Sequence, residues 1–271
     1  YGFNNPDVEW EKSNKLITIL GDSYGMGSCV NRPFDISSQL RKKIDKKFSI
    51  INLAYGGNNL LLEYASLREY FKIINSQIII WLVYEDDAGE FPKLSNTILQ
   101  EYLNEDNFTQ SLITKQNQIN EHLNEIIFKK TKEYQENKNF KKKFFMSLKL
   151  YNLRNLFRIY NLDYEKFDSS SKNIFKKVKN FSDYNNANLI VVYIPSVKTI
   201  KSNHYENINK KSLVKILKEE NIYLIDIGSE FKNSKNNSQY FPVLTPGHYN
   251  ELGYKKISNI IFKYIQEKIN D

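Results

Sequence analysis

Apolar and polar positions come in blocks along this chain. Five short runs are almost wholly apolar and rich in β-branched residues: Lys15–Leu20, residues 48–54, residues 77–84, Asn188–Ile194 and residues 222–226. Glycine, proline or an acidic cluster closes most of them. Runs of this length without a polar face read as strands buried on both sides. Helical spacing and cap residues fill the gaps, predicting helices over residues 33–47, from Asn58 or Asn59 to Ile74, over 202–220 and over 249–269. Strands separated by helices predict an α/β fold, a three-layer αβα sandwich around a five-stranded parallel sheet. In such a sheet the crossovers are right-handed and a site forms beyond the carboxyl ends of the strands.

The rhythm breaks between strands three and four. Residues 95–180 are helical in pattern throughout, with one apolar stripe at Leu112, Ile119, Leu123, Ile126 and Ile127 and a second from Phe144 to Tyr160. A stretch this long is too much for an ordinary connection, so it reads as a helical insertion within a single domain of residues 1–271. Polar runs at residues 135–139 and 168–171 are its expected linkers.

Charge sharpens that division. The chain carries a net +8, and residues 129–180 hold 15 Lys/Arg against 5 Asp/Glu, which leaves the remainder slightly acidic. A basic field attracts anionic polymers or lipid head groups, but no nucleic-acid-binding motif accompanies it, and a solvated lysine face accounts for it more simply. No apolar run has the roughly 20 residues a membrane-spanning helix needs. The chain starts at Tyr1 rather than methionine, so an anchor or signal segment upstream of Tyr1 is one expectation. The single cysteine, Cys29, excludes an internal disulfide and is expected to be a small buried hydrophobe rather than a nucleophile.

The residues with chemical potential stand at the predicted strand ends. Gly21-Asp22-Ser23 follows strand one, Gly56-Gly57 follows strand two, Glu85-Asp86-Asp87 follows strand three, and His248 precedes the last helix. A serine hydroxyl attacks a carbonyl only if a base takes its proton and donors hold the oxyanion. Ser23 is the candidate nucleophile and His248 the candidate base; His122 and His204 have no glycine-marked strand end beside them. The Ser23 N–H and the N–H of Gly56 or Gly57 are candidate oxyanion donors.

These residues resemble the signature blocks of the SGNH (GDSL-like) hydrolases, over nearly the whole chain apart from the insertion. Gly21, Asp22 and Ser23 match the first block, Gly57 with Gly56 beside it the second, and His248 the last. The resemblance implies a flavodoxin-like sheet and ester hydrolysis or acyl transfer on small acyl esters, without metal or other cofactor. The stretches around Gly57, Trp81 and Glu85 look like a bacterial, often membrane-anchored branch, which implies an acylated envelope polysaccharide as substrate and the cell envelope as location. Two positions depart from the pattern. Asp86 or Asp87 stands where the family has an oxyanion-donating asparagine, and an ionised carboxylate has no N–H to give. Thr245 stands where the family has the aspartate that orients the histidine; Asp226 and Glu251 are candidate substitutes. A Ser-His dyad with backbone oxyanion donors is therefore the expected machinery, with Asp22 and Thr245 in support. The alternative is a degenerate module that binds carbohydrate or a protein partner.

Overall fold

The structure is a computed structural model that describes residues 1–11, 15–89, 97–136, 166–232, 236–242 and 247–269. The five apolar runs all become strands: β1 (Lys15–Leu20), β2 (Phe48–Asn52), β3 (Ile78–Tyr84), β4 (Asn188–Ile194) and β5 (Tyr223–Asp226). They form one parallel sheet in the order β2-β1-β3-β4-β5. The order reverses between β1 and β3, which opens a crevice at their carboxyl ends.

Alternate strand residues feed two apolar layers, which is why the runs have no polar face. Ile17, Ile19, Ile80, Leu82, Val192 and Ile225 point to one side, where they join Ile36, Leu40, Phe231, Tyr254 and Ile257. Those partners come from helices α2 (Ile36–Arg41), α9 (Ile227–Lys232) and α10 (Glu251–Ile269). On the other side, fully buried Trp81 packs 4.7 Å, ring to ring, from Phe175 and donates its indole N–H to Glu63 at 2.5 Å. Glu63 lies on α3 (Leu60–Ile74) and Phe175 on α6 (Ser169–Tyr184), and α8 (Ile208–Glu219) completes that layer. The three-layer αβα architecture is as expected.

The helices differ from the sequence pattern in instructive ways. The helix expected over 33–47 is only α2, which Asp35 starts by accepting the Ser38 N–H at 2.9 Å and which gives way to a turn after Arg41. The helix expected over 202–220 is α8, which begins only at Ile208, where Asn207 caps Lys210; before it stands α7 (Val197–Ser202), which the pattern did not predict and which ends at Asn203 in the left-handed conformation. Asparagine tolerates the left-handed region and supplies a cap acceptor, so apolar periodicity alone does not show where one helix stops and the next begins.

The segment 95–180, expected as an insertion, falls in both of the chain's compact units. Its ends belong to the sheet-containing unit of residues 2–108 and 164–271, while Thr109–Asp163 form a second compact unit. Asp168, read as part of a linker, is the N-cap of α6 and accepts the N–H groups of Ser170 and Ser171. At the other end, around the short helix α4 (Glu101–Asn104), the Arg68 guanidinium on α3 donates to the carbonyls of Tyr102, Asp106 and Phe108 at 3.2, 2.5 and 2.9 Å. Of the second unit, residues 109–136 are described. They include helix α5 (Gln116–Glu136), on which Leu123, Ile126, Ile127 and Phe128 are exposed. The second apolar stripe, Phe144 to Tyr160, and most of the 135–139 linker lie outside the described residues. Among the described residues no helix is long and apolar enough to cross a membrane.

Candidate active site

The chain leaves β1 at Gly21 and turns at once into the one-turn helix α1 (Ser23–Met26). Asp22 caps that turn, its Oδ1 accepting the Tyr24 N–H at 2.9 Å. Gly25 lets the turn sit tightly against the end of β2, since a β-carbon there would lie 2.5 Å from the Ala54 Cβ. Asn52, at the end of β2, ties down the same turn by donating to the Gly25 carbonyl at 2.8 Å. Ser23 is thereby presented at the carboxyl edge of the sheet, on the first residue of a helix.

His248 arrives from the opposite end of the sequence. Its Nε2 lies 2.7 Å from Ser23 Oγ, across 225 positions of chain. The neighbours of His248 hold it there. Tyr24 packs its ring, tilted by 39°, 4.7 Å from the imidazole and donates its hydroxyl to the Gly247 carbonyl at 2.5 Å. On the other side Tyr249 donates to the Pro195 carbonyl at 2.7 Å. Asn250 both anchors to the Gln239 carbonyl at 2.8 Å and caps α10 by accepting the Gly253 N–H. Sequence reasoning passed over Tyr24, although its place beside Ser23 was the available signal.

Gly56 and Gly57 lie in a turn closed by the Asn58 N–H on the Tyr55 carbonyl at 3.1 Å. Gly57 has φ +84° at the third position, the type II geometry that favours glycine. A β-carbon on Gly56 would sit 3.8 Å from the Ser23 Cβ, whereas one on Gly57 would point into open space. Gly56 therefore lies beside Ser23, and Gly57 is the next residue of the same turn, with open space on its side-chain face.

The acidic residues go elsewhere. Asp86 is exposed, and Asp87 is buried with Oδ2 accepting the Tyr84 N–H at 2.7 Å, so it closes its own turn rather than offering a donor. Glu85 between them is fully buried. It accepts from the Ser196 N–H at 2.8 Å, the Thr199 hydroxyl at 2.6 Å and the Asn207 amide at 3.1 Å. That makes it the node that joins β3 to α7 and α8, a role that no motif around Glu85 signals. Asp226, a candidate substitute acid, is paired with Lys210 at 2.7 Å and accepts the Gly228 N–H. Glu251 is exposed on the first turn of α10. Thr245 lies outside the described residues. His204 is exposed with Nδ1 3.0 Å from the Ser202 carbonyl, and His122 is exposed on α5 beside Glu125. Cys29, expected to be buried, is exposed, and its Sγ lies 3.8 Å from His248 Nδ1.

Burial sets the electrostatics. Desolvation raises the Asp22 carboxyl from an ordinary 3.8 to about 6, against the lowering effect of the Tyr24 N–H and the Ser23 hydroxyl, which lies 3.3 Å from Oδ2. Desolvation also lowers His248 below the usual 6.5, which keeps the imidazole neutral with a free lone pair near neutral pH. A hydroxyl, a neutral imidazole and exposed backbone turns at one sheet edge are the parts an acyl-transfer site requires.

The parallel β2-β1-β3-β4-β5 sheet with helices on both faces is an SGNH hydrolase-like fold. Solved structures agree. The esterase EstA from Pseudoalteromonas sp., in a form inhibited by monoethylphosphonate, is 11% identical with a TM-score of 0.51, over 95% of this chain and 100% of that one. The lipase/acylhydrolase from Enterococcus faecalis is 9% identical with a TM-score of 0.51, over 94% and 96% of the two chains. TesA is 8% identical at the same TM-score, over 92% and 97%. No protein-family model and no curated protein matches the chain by sequence.

Proposed function

We propose that the protein is a serine esterase for small acyl esters, with Ser23 as nucleophile and His248 as general base. The 2.7 Å contact between Ser23 Oγ and His248 Nε2 carries this reading. As Ser23 Oγ adds to the acyl carbonyl, its proton passes to Nε2. The oxyanion that forms faces the backbone N–H groups of Ser23 and of Gly56 or Gly57. The imidazolium then returns the proton to the leaving alcohol, and the acyl group remains on Ser23. Water, activated by the same imidazole, releases the acid; an alcohol in its place, such as a glycan hydroxyl, receives the acyl group instead. Asp86 and Asp87 add no N–H, so the site works with backbone donors, and loss of one oxyanion donor costs about 10²–10³ in rate. A slow esterase is the expectation.

The test is direct. The purified protein should release p-nitrophenol from p-nitrophenyl acetate, and Ser23→Ala and His248→Ala should each lower the rate by at least ~10³-fold. A Ser23→Ala variant as active as the parent ends this reading. The second reading is a binding module that kept the fold and lost the chemistry. It draws on the acidic pair Asp86 and Asp87, which supplies no side-chain N–H, the Asp87 carboxylate serving its own turn.

A further inference from the structure

For Nε2 to take the Ser23 proton, the other ring nitrogen must carry the hydrogen, and that N–H needs an acceptor that holds the ring in this tautomer. The family's aspartate position holds Thr245, and Asp226 is committed to Lys210. Among the described residues, the polar atom in contact with His248 Nδ1 is Cys29 Sγ, at 3.8 Å. This distance suits an N–H···S contact, which is longer than N–H···O.

Cys29 is held at that point by its own segment. The backbone adopts φ +72°, an uncommon conformation for a residue with a side chain. The preceding Ser28 is fixed at both ends: its N–H donates to the Ser23 carbonyl at 3.0 Å, and its carbonyl accepts the Tyr254 hydroxyl at 2.9 Å. One short segment, residues 23–29, therefore grips the imidazole on both nitrogens.

We propose that Cys29 is the positioning residue of this site, its sulfur accepting the His248 Nδ1–H where the family uses a carboxylate. The inference rests on the esterase reading for its purpose but not for its geometry. The sulfur forms no bond to substrate. As Ser23 Oγ adds to the carbonyl, the proton moves to Nε2, and the Nδ1–H stays directed at Sγ throughout. A neutral thiol is a weak acceptor and stabilises the imidazolium less than a carboxylate would.

The substitutions follow from the backbone. Alanine would strain the left-handed position, whereas glycine and aspartate accept it. Cys29→Gly should reduce kcat about 10-fold with little change in KM, and Cys29→Asp should raise kcat above the parent. Aspartate should also move the acid limb of the pH profile upward, since a facing carboxylate favours the imidazolium. Of the other titratable groups, Tyr24 packs against the ring, Asp22 lies behind Ser23 and Tyr84 stacks on Tyr24, while the Tyr254 phenol, which Cys29 helps to raise, is raised further by a carboxylate at position 29. Nitrogen-15 NMR of the His248 ring gives a readout independent of turnover. The parent should show the Nδ1–H tautomer, Cys29→Gly a tautomer mixture, and Cys29→Asp a raised imidazole titration. An unchanged tautomer and titration in both variants overturns the proposal, whatever the activity. Activity that survives Ser23→Ala overturns the esterase reading instead and leaves the NMR result to decide the Cys29 contact.

Discussion

His248 is half-buried, and its imidazole meets Ser23 on one side and the ring of Tyr24 on another. Since burial lowers its proton affinity, kcat/KM should rise with pH through a midpoint below 6.5 and then level off. A stopped-flow profile with an acid limb above 7 would contradict that. Asp22 gives a separate prediction in stability. Its carboxyl titrates near 6 in the folded chain against 3.8 ordinarily, so between those values the folded state binds more protons than the unfolded one. Stability then falls as pH rises through the window, by roughly 3 kcal/mol when Asp22 is fully ionised. Asp22→Asn, which can keep the cap on Tyr24, should match the parent at pH 4 and exceed it increasingly up to pH 7.5. Thermal unfolding at the two pH values checks this, and an equal offset at both would refute it. At this scale the sequence showed which residue types met at which strand ends. It could not show that Cys29 faces the base or that Asp87 closes its own turn, because both depend on side-chain direction within turns.

The strands were legible because a parallel strand covered on both faces has no polar side, so its apolar run stops where the strand stops. Helix ends were less so. Residues 197–219 contain apolar residues at helical spacing across two helices, and the break rests on the backbone of Asn203 and the cap of Asn207. The same region depends on Glu85. Its side chain satisfies donors from Ser196, Thr199 and Asn207, and the Asn209 amide reaches its backbone carbonyl at 2.8 Å. Removing the carboxylate in Glu85→Ala strands several buried donors and should cost about 3–5 kcal/mol. Glu85→Gln keeps the shape and part of the bonding and should cost less. Urea unfolding of the two variants tests it; equal and small losses would show that the node does not hold β3 to α7 and α8.

Across the whole molecule, the two faces of the sheet are covered by separate groups of helices, and Trp81 is the largest fully buried side chain. Trp81→Ala should lower stability by about 3–5 kcal/mol in a single cooperative transition of the sheet-containing unit. A loss below 1 kcal/mol would mean that this layer packs loosely. The helical pattern of residues 95–180 does not say where each of its helices packs: Phe175 on α6 lies against Trp81 in the core. Local periodicity carries no record of which surface a stripe meets. The convergence of Ser23 and His248 was foreseeable only as topology, from one residue after β1 and another before the last helix.

That convergence is the claim on which the functional account stands, and active-site labelling tests it most directly. The protein would be treated with a fluorophosphonate probe and its peptides mapped by mass spectrometry, beside the Ser23→Ala and His248→Ala variants. The account predicts a single adduct on Ser23 in the parent, none at that position in Ser23→Ala, and greatly slowed labelling in His248→Ala. A parent protein whose Ser23 stays unlabelled, or is labelled as fast without His248, would contradict it.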